Sequence, residues 1–164
     1  MIRVVVGELG REAVDAVLRP ADAGLAPVGA AAVRLDELGG EGFAAQRRTS
    51  TPLEAGAAVV TGGGELSAGY VLHVVIADER GPAGREKVRR ALVSAWQRAG
   101  DWGLGRMAAP PVGVAGGQLS LEESVGLLVE TFPRPASSAG ELELRIVVEA
   151  SECDVVQGIV RRMT

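Results

Sequence analysis

Apolar residues along this chain follow two rhythms. Short β-branched or continuous apolar runs read as buried strands: Ile2 to Val6, Val14 to Leu18, Ala57 to Thr61, Tyr70 to Ile76, Arg106 to Ala109 and Leu142 to Val148. Between them, apolar positions recur at helical spacing. Arg85 to Ala99 carries Val88, Ala91, Leu92, Ala95, Trp96 and Ala99 on a single helical face. Ala30 to Leu38 has helix-forming content and stops at Gly39-Gly40, a C-terminal signal, with a short helix from Glu41 to Arg48 following. Ser120-Leu121-Glu122-Glu123 has the spacing of a capping box, in which hydroxyl and carboxylate each satisfy the other residue's amide. It opens a helix whose stripe is Leu121, Val125, Leu128, Val129 and Phe132, ended by Pro133. Ser151 stands where an N-cap is expected for a last helix with Val155, Val156, Ile159, Val160 and Met163 on its buried stripe. Arg134 to Gly140 reads as a polar surface loop.

Strands alternating with helices predict an α/β protein, a three-layer α/β/α sandwich around a mixed sheet of about six strands. Val14 to Leu18 and Arg106 to Ala109 lack the polar alternation of an edge and are expected at the centre. No repeat or linker divides the chain, so residues 1–164 are read as a single domain.

Composition narrows the function classes. The net charge of −4 argues against a general electrostatic grip on a nucleic-acid backbone. One cysteine, Cys153, and one histidine, His73, exclude a disulfide framework and a metal site built on Cys or His clusters. With no 18-residue apolar stretch and no signal-peptide core, the expected setting is cytoplasmic and away from membranes. His73 lies between Leu72 and Val74 in a strand and reads as a core histidine, and Cys153 as a packed thiol. Arg47-Arg48 and Arg89-Arg90 read as solvated helix faces.

Candidate chemistry concentrates in the loops beyond the carboxyl ends of the strands, where open α/β sheets bind ligands. Gly113, Gly116 and Gly117 follow a strand and precede a capped helix, so backbone N–H groups there can approach a phosphate without Cβ interference. Asp15 and Asp22 flank an apolar strand and are a candidate carboxylate pair.

In this order the segments resemble the macro domain, an ADP-ribose-binding α/β/α module. Val5-Val6-Gly7-Glu8-Leu9 is similar to its first strand and Gly-Asp-Ile turn, and Val14-Asp15-Ala16-Val17-Leu18-Arg19-Pro20-Ala21-Asp22 to its Val-Asp-Ala-Ile-Val-Asn-Pro-Ala-Asn strand. Thr61-Gly62-Gly63-Gly64-Glu65-Leu66 with Val71-Leu72-His73 is similar to its Thr-Gly-Gly-x-Leu turn and Val-Ile-His strand. Val112-Gly113-Val114-Ala115-Gly116-Gly117 resembles the loop that cradles the diphosphate. The resemblance implies a ligand site of Gly7, Glu8, Leu9, Asp22, Gly29, Val112, Gly113, Val114, Ala115, Gly116 and Gly117, with neither metal nor other cofactor. It implies ADP-ribose or a related nucleotide as partner, and admits ADP-ribosylated protein.

The departures fall on functional positions. Glu8 replaces the acid that binds the adenine amino group, and Arg19 and Asp22 stand where the family has Asn; the chain contains no Asn at all. Pro27-Val28-Gly29-Ala30-Ala31 stands in place of a run of glycines, and the ring positions at Gln118-Leu119 and Ala150-Ser151 carry no ring. Three readings follow: a divergent bacterial-type binding module with weak or no catalysis; an ADP-ribosyl hydrolase or deacetylase-type enzyme using Asp15 or Asp22 as base; and a closed structural or regulatory domain, as in the N-terminal domains of leucine aminopeptidases.

Overall fold

The computed structural model describes residues 1–48, 51–134 and 141–164. Seven strands form one sheet: β1 (Ile2–Val6), β2 (Ala16–Asp22), β3 (Ala58–Gly62), β4 (Tyr70–Asp78), β5 (Gly81–Pro82), β6 (Arg106–Ala109) and β7 (Glu143–Val148). Their order is β1-β7-β6-β2-β4-β3, with β5 pairing β4. All pairings from β1 through β4 are parallel, while β3 and β5 run antiparallel to β4. The expected six-stranded mixed sheet is present, and β2 and β6 occupy its centre. β5 adds the seventh strand, and two residues containing a proline leave no periodic signal in sequence.

Period-two alternation divides the sheet's side chains between two layers. Ala16, Leu18, Leu72, Val74, Ile76, Met107 and Ile146 pack against α2 (Arg85–Asp101), α3 (Leu121–Thr131) and α4 (Cys153–Met163). Val17, Val71, Ala108 and Val147 face α1 (Ala30–Gln46) together with Leu35 and Phe43. Trp96 meets Phe132 edge to face at 5.1 Å and donates its indole N–H to Thr131 at 3.0 Å, so α2 and α3 are locked to each other by an apolar contact and a satisfied polar tip.

The capping box at Ser120 forms in both directions, and its hydrogen bonds hold the Glu123 carboxyl below the ordinary carboxylate range. Such caps contribute about 1 kcal/mol. At Gly40 the backbone turns to φ 67°, ψ −165°, interrupting α1 where the double glycine predicts a stop. Ser151, expected to cap α4, does not. A 3-10 turn over Ala150–Glu152 precedes the helix, the extended cap conformation belongs to Glu149, and no side-chain cap bond is made. Residues 135–140 of the expected surface loop lie outside the described residues.

Arg47 also departs from expectation. Its guanidinium folds back onto the Phe43 ring, 5.0 Å from the centroid, and donates to Asp36 at 3.0 Å. Asp36 receives a two-pronged bond from the fully buried Arg19 (2.7 and 2.8 Å). Arg19 in turn lies 3.2 Å from Nδ1 of His73, whose Nε2 is 2.8 Å from the Thr61 hydroxyl. A guanidinium only donates, so Nδ1 accepts and Nε2 carries the proton. Burial, then the charges of Arg19 and Arg47, push the imidazole down to about 3. His73 is therefore a neutral, satisfied core histidine, as its position in the strand suggests.

Candidate functional site

Because β1, β7, β6 and β2 run parallel, the loops leaving them gather at one end of the sheet. There they enclose a cleft of about 640 Å³. One wall is the start of α1, from Val28 to Ala31, with Arg34 a turn further on. Gly29 caps this helix in an extended, positive-φ conformation (φ 97°) and offers no side chain, so the first-turn amides of Ala30 and Ala31 have neither helical acceptor nor cap. The facing wall is Gly113, Val114 and Ala115 from the loop after β6. Among the described residues, the N–H groups of Gly113, Val114, Ala115 and Gly116 make no well-formed hydrogen bond to the protein. The two walls come close at the middle: a Cβ on Gly29 would lie 2.9 Å from that of Ala115. Unspent amides on a turn and at a helix N-terminus, facing one another across a gap, form a receptor for an anion.

The family model for the macro domain matches residues 19–128. The chain belongs to the macro domain family. Relatives include an uncharacterized protein of Aeropyrum pernix, 30% identical over 130 residues, which cover 75% of this chain and 66% of that protein. Another is an uncharacterized protein of Mycobacterium tuberculosis, 26% identical over 120 residues, 73% of this chain but only 33% of its own length. The chain thus spans less than two thirds of these relatives. Among solved structures, the Oceanobacillus iheyensis macrodomain with ADP superposes with a TM-score of 0.79 at 15% identity, covering 98% of this chain and 90% of that one. The Trypanosoma brucei macrodomain in complex with ADP-ribose gives 0.79 at 18% identity, covering 99% and 68%. At such identities the likeness establishes the fold.

This macro domain brings together only part of the site expected from sequence. Gly7, Glu8, Leu9, Gly29, Gly113, Val114 and Ala115 line the cleft. Val112 is buried beneath it, its carbonyl accepting the Ser124 hydroxyl at 2.6 Å. Gly116 and Gly117 stand off the wall. The Gly117 amide donates to the Val114 carbonyl, and Gly116 packs over the amide of Gln118, where a Cβ would come within 2.3 Å of Oε1. Gln118 Nε2 reaches the Ile76 carbonyl at 3.3 Å, tethering this loop to β4. The Gly7 amide is spent on the Val148 carbonyl.

The paired carboxylates do not form a pair. Asp15 precedes β2 at the amino end of the sheet, where Oδ2 accepts the amides of Gly105 (3.0 Å) and Arg106 (2.8 Å). Asp22 ends β2, seven residues or roughly 20 Å away along the strand. Asp22 is also absent from the cleft wall. Its Oδ1 accepts the amides of Gly24 and Ala26, both at 2.9 Å, closing a loop that holds Leu25 at φ 63°. It lines a separate hollow with Asp78 and Glu79.

Three charged wall residues escaped the sequence reading: Arg34, Glu149 and Glu152. Arg34 donates to Glu8 at 3.1 Å and to Glu37 at 3.0 Å, and these partners raise its pKa. Arg11 and then Arg34 hold the Glu8 carboxyl below the ordinary range. The position of Arg34 four residues beyond Ala30 was the available signal, since residues at that spacing share a helix face. Among the described residues no aromatic side chain stands on the wall, in keeping with the missing rings at Gln118-Leu119 and Ala150-Ser151.

Proposed function

We propose that residues 1–164 act as one domain that binds ADP-ribose, or a closely related nucleoside diphosphate, with little or no hydrolysis of it. The observation that carries this reading is the convergence of unspent N–H groups, from Gly113 to Ala115 and from the first turn of α1, on one open cleft. The ADP and ADP-ribose bound by macrodomains of the same fold supply the ligand chemistry. An open cleft favours binding over a closed, purely structural domain. A cytoplasmic setting and ADP-ribosylated protein as a further partner belong to the same reading, with no role for a nucleic-acid backbone or a membrane.

Catalysis is disfavoured because a general base must come within hydrogen-bond reach of its water. Asp15 is at the far end of the sheet, and the Asp22 carboxylate is engaged in its own loop. Calorimetric titration with ADP-ribose, ADP and AMP tests the proposal: ADP-ribose and ADP bind, and AMP binds more weakly. Ala115→Glu places a carboxylate on the exposed lip beside the free amides and should weaken ADP-ribose binding at least tenfold with no change in melting temperature. Absence of binding at millimolar ADP-ribose would overturn the reading. Efficient release of ADP-ribose from modified protein would overturn its non-catalytic part.

A further inference from the structure

The strand order gives the cleft two chemically different ends. β6 and β2 are neighbours, and their loops carry the free amides; β1 and β7 are neighbours beyond them. At the β1/β7 end, Leu9 and Val148 present an apolar floor suited to a flat base, so a diphosphate seated on the amides directs its nucleoside arm there. The polar groups around that floor are Glu8, Arg34, Glu149, Ser151 and Glu152. Among the described residues the side chains of Glu149 and Glu152 have no hydrogen-bond or ion-pair partner. Arg34, the only cation on the wall among the described residues, is already held between Glu8 and Glu37.

Building on the proposed binding of a nucleoside diphosphate, we propose that Glu149 and Glu152 are specificity determinants that restrict this macro domain to ligands whose nucleoside sugar carries no phosphate. A phosphate at the 2′ or 3′ position of that sugar would enter a region with two unanswered carboxylates and no free cation. Like charges a few ångströms apart in a solvated cleft change affinity severalfold per pair, so two carboxylates against a dianion give about tenfold or more. Because the effect is electrostatic and exposed, salt screens it.

The test is titration of the whole chain with ADP-ribose and with its 2′-phosphate, at low and at high salt. The expected result is at least a tenfold preference for ADP-ribose at low salt, which narrows at high salt and narrows again in the Glu149→Gln/Glu152→Gln double variant. A Glu152→Arg variant should reverse the order of the two ligands. Equal binding of both ligands by the native chain would overturn the proposal, as would a preference indifferent to salt and to these substitutions, since that is steric exclusion. If ADP-ribose itself fails to bind, the underlying reading of the cleft falls as well; if it binds without discrimination, only the specificity assignment falls.

Discussion

Two polar regions of this fold have opposite characters. In the buried cluster under α1, Arg19, Asp36, Arg47, His73 and Thr61 satisfy one another almost completely, Nε of Arg47 being the atom left over. In the cleft, the amides of Gly113, Val114 and Ala115 and the carboxylates of Glu149 and Glu152 have no partner among the described residues. Burial explains the difference. A polar group withdrawn from water must be answered by the fold, whereas one at an open cleft keeps water as a partner until a ligand replaces it. Polar residues whose bonds close among themselves are therefore read as structure, and those left open as recognition.

The comparison breaks first at Arg19. Arg19→Ala removes one half of a buried fork and leaves Asp36 with Arg47 alone, a change of the kind that costs about 3–5 kcal/mol. Urea denaturation measures it. The double variant Arg19→Ala/Asp36→Ala should lose less than the sum of the two single losses, because the second substitution removes the charge that the first left unanswered. Additive losses, or a single loss below 1 kcal/mol, would mean that the cluster is not a unit.

That cluster also shows what sequence could and could not give. Strands, helices and the central placement of β2 and β6 were legible because periodicity and turn residues are local signals. The Arg19–Asp36 fork joins residues 17 positions apart and exists only after α1 has docked, so Arg19 appeared in sequence as a lost Asn and Arg47 as a solvated charge. At the site, the glycine-rich loop was located but its boundary was not. A run of glycines does not say which of them faces the ligand and which makes room for a neighbour such as Gln118. Asp22 carried an overlooked local signal, since an Asp two residues before a glycine in a loop favours hydrogen bonds to its own backbone.

A second, smaller effect sharpens the buried side of the comparison through pH. His73 has an ordinary unfolded value of 6.5 and a folded value of about 3, so the fold favours its neutral form. Stability from this group is complete above pH 6.5 and is lost as pH falls from 6.5 toward 3, with a slope of up to about 1.4 kcal/mol per pH unit. Between pH 7 and pH 5 the loss should be about 2 kcal/mol. Glu8, Glu123 and Glu143 are depressed from 4.5, so their contributions disappear at lower pH and leave this window to the histidine. His73→Gln should flatten the dependence between pH 7 and pH 5 whatever it does to stability at pH 7. An unchanged slope in that variant would show that His73 is not the titrating group.

The smallest effect tests the boundary between the two kinds of region, at Gly116. The sequence resemblance assigns it to the ligand, whereas in the fold it is the seat for Gln118: a Cβ there meets Oε1 at 2.3 Å and Pro82 only at 3.3 Å. Gly116→Ala should therefore act by displacing Gln118 from the Ile76 carbonyl, a single long hydrogen bond worth no more than about 1 kcal/mol. The displaced loop would hold its amides less well, so ADP-ribose affinity should fall a few-fold. In a Gln118→Ala background the obstructing atom is gone, and adding Gly116→Ala should change affinity little further. The single and double variants thus give opposite answers for the two roles. If Gly116→Ala weakens binding as much with Gln118 truncated as with it present, the alanine methyl is meeting the ligand itself, and the recognition surface extends past Ala115 to Gly116.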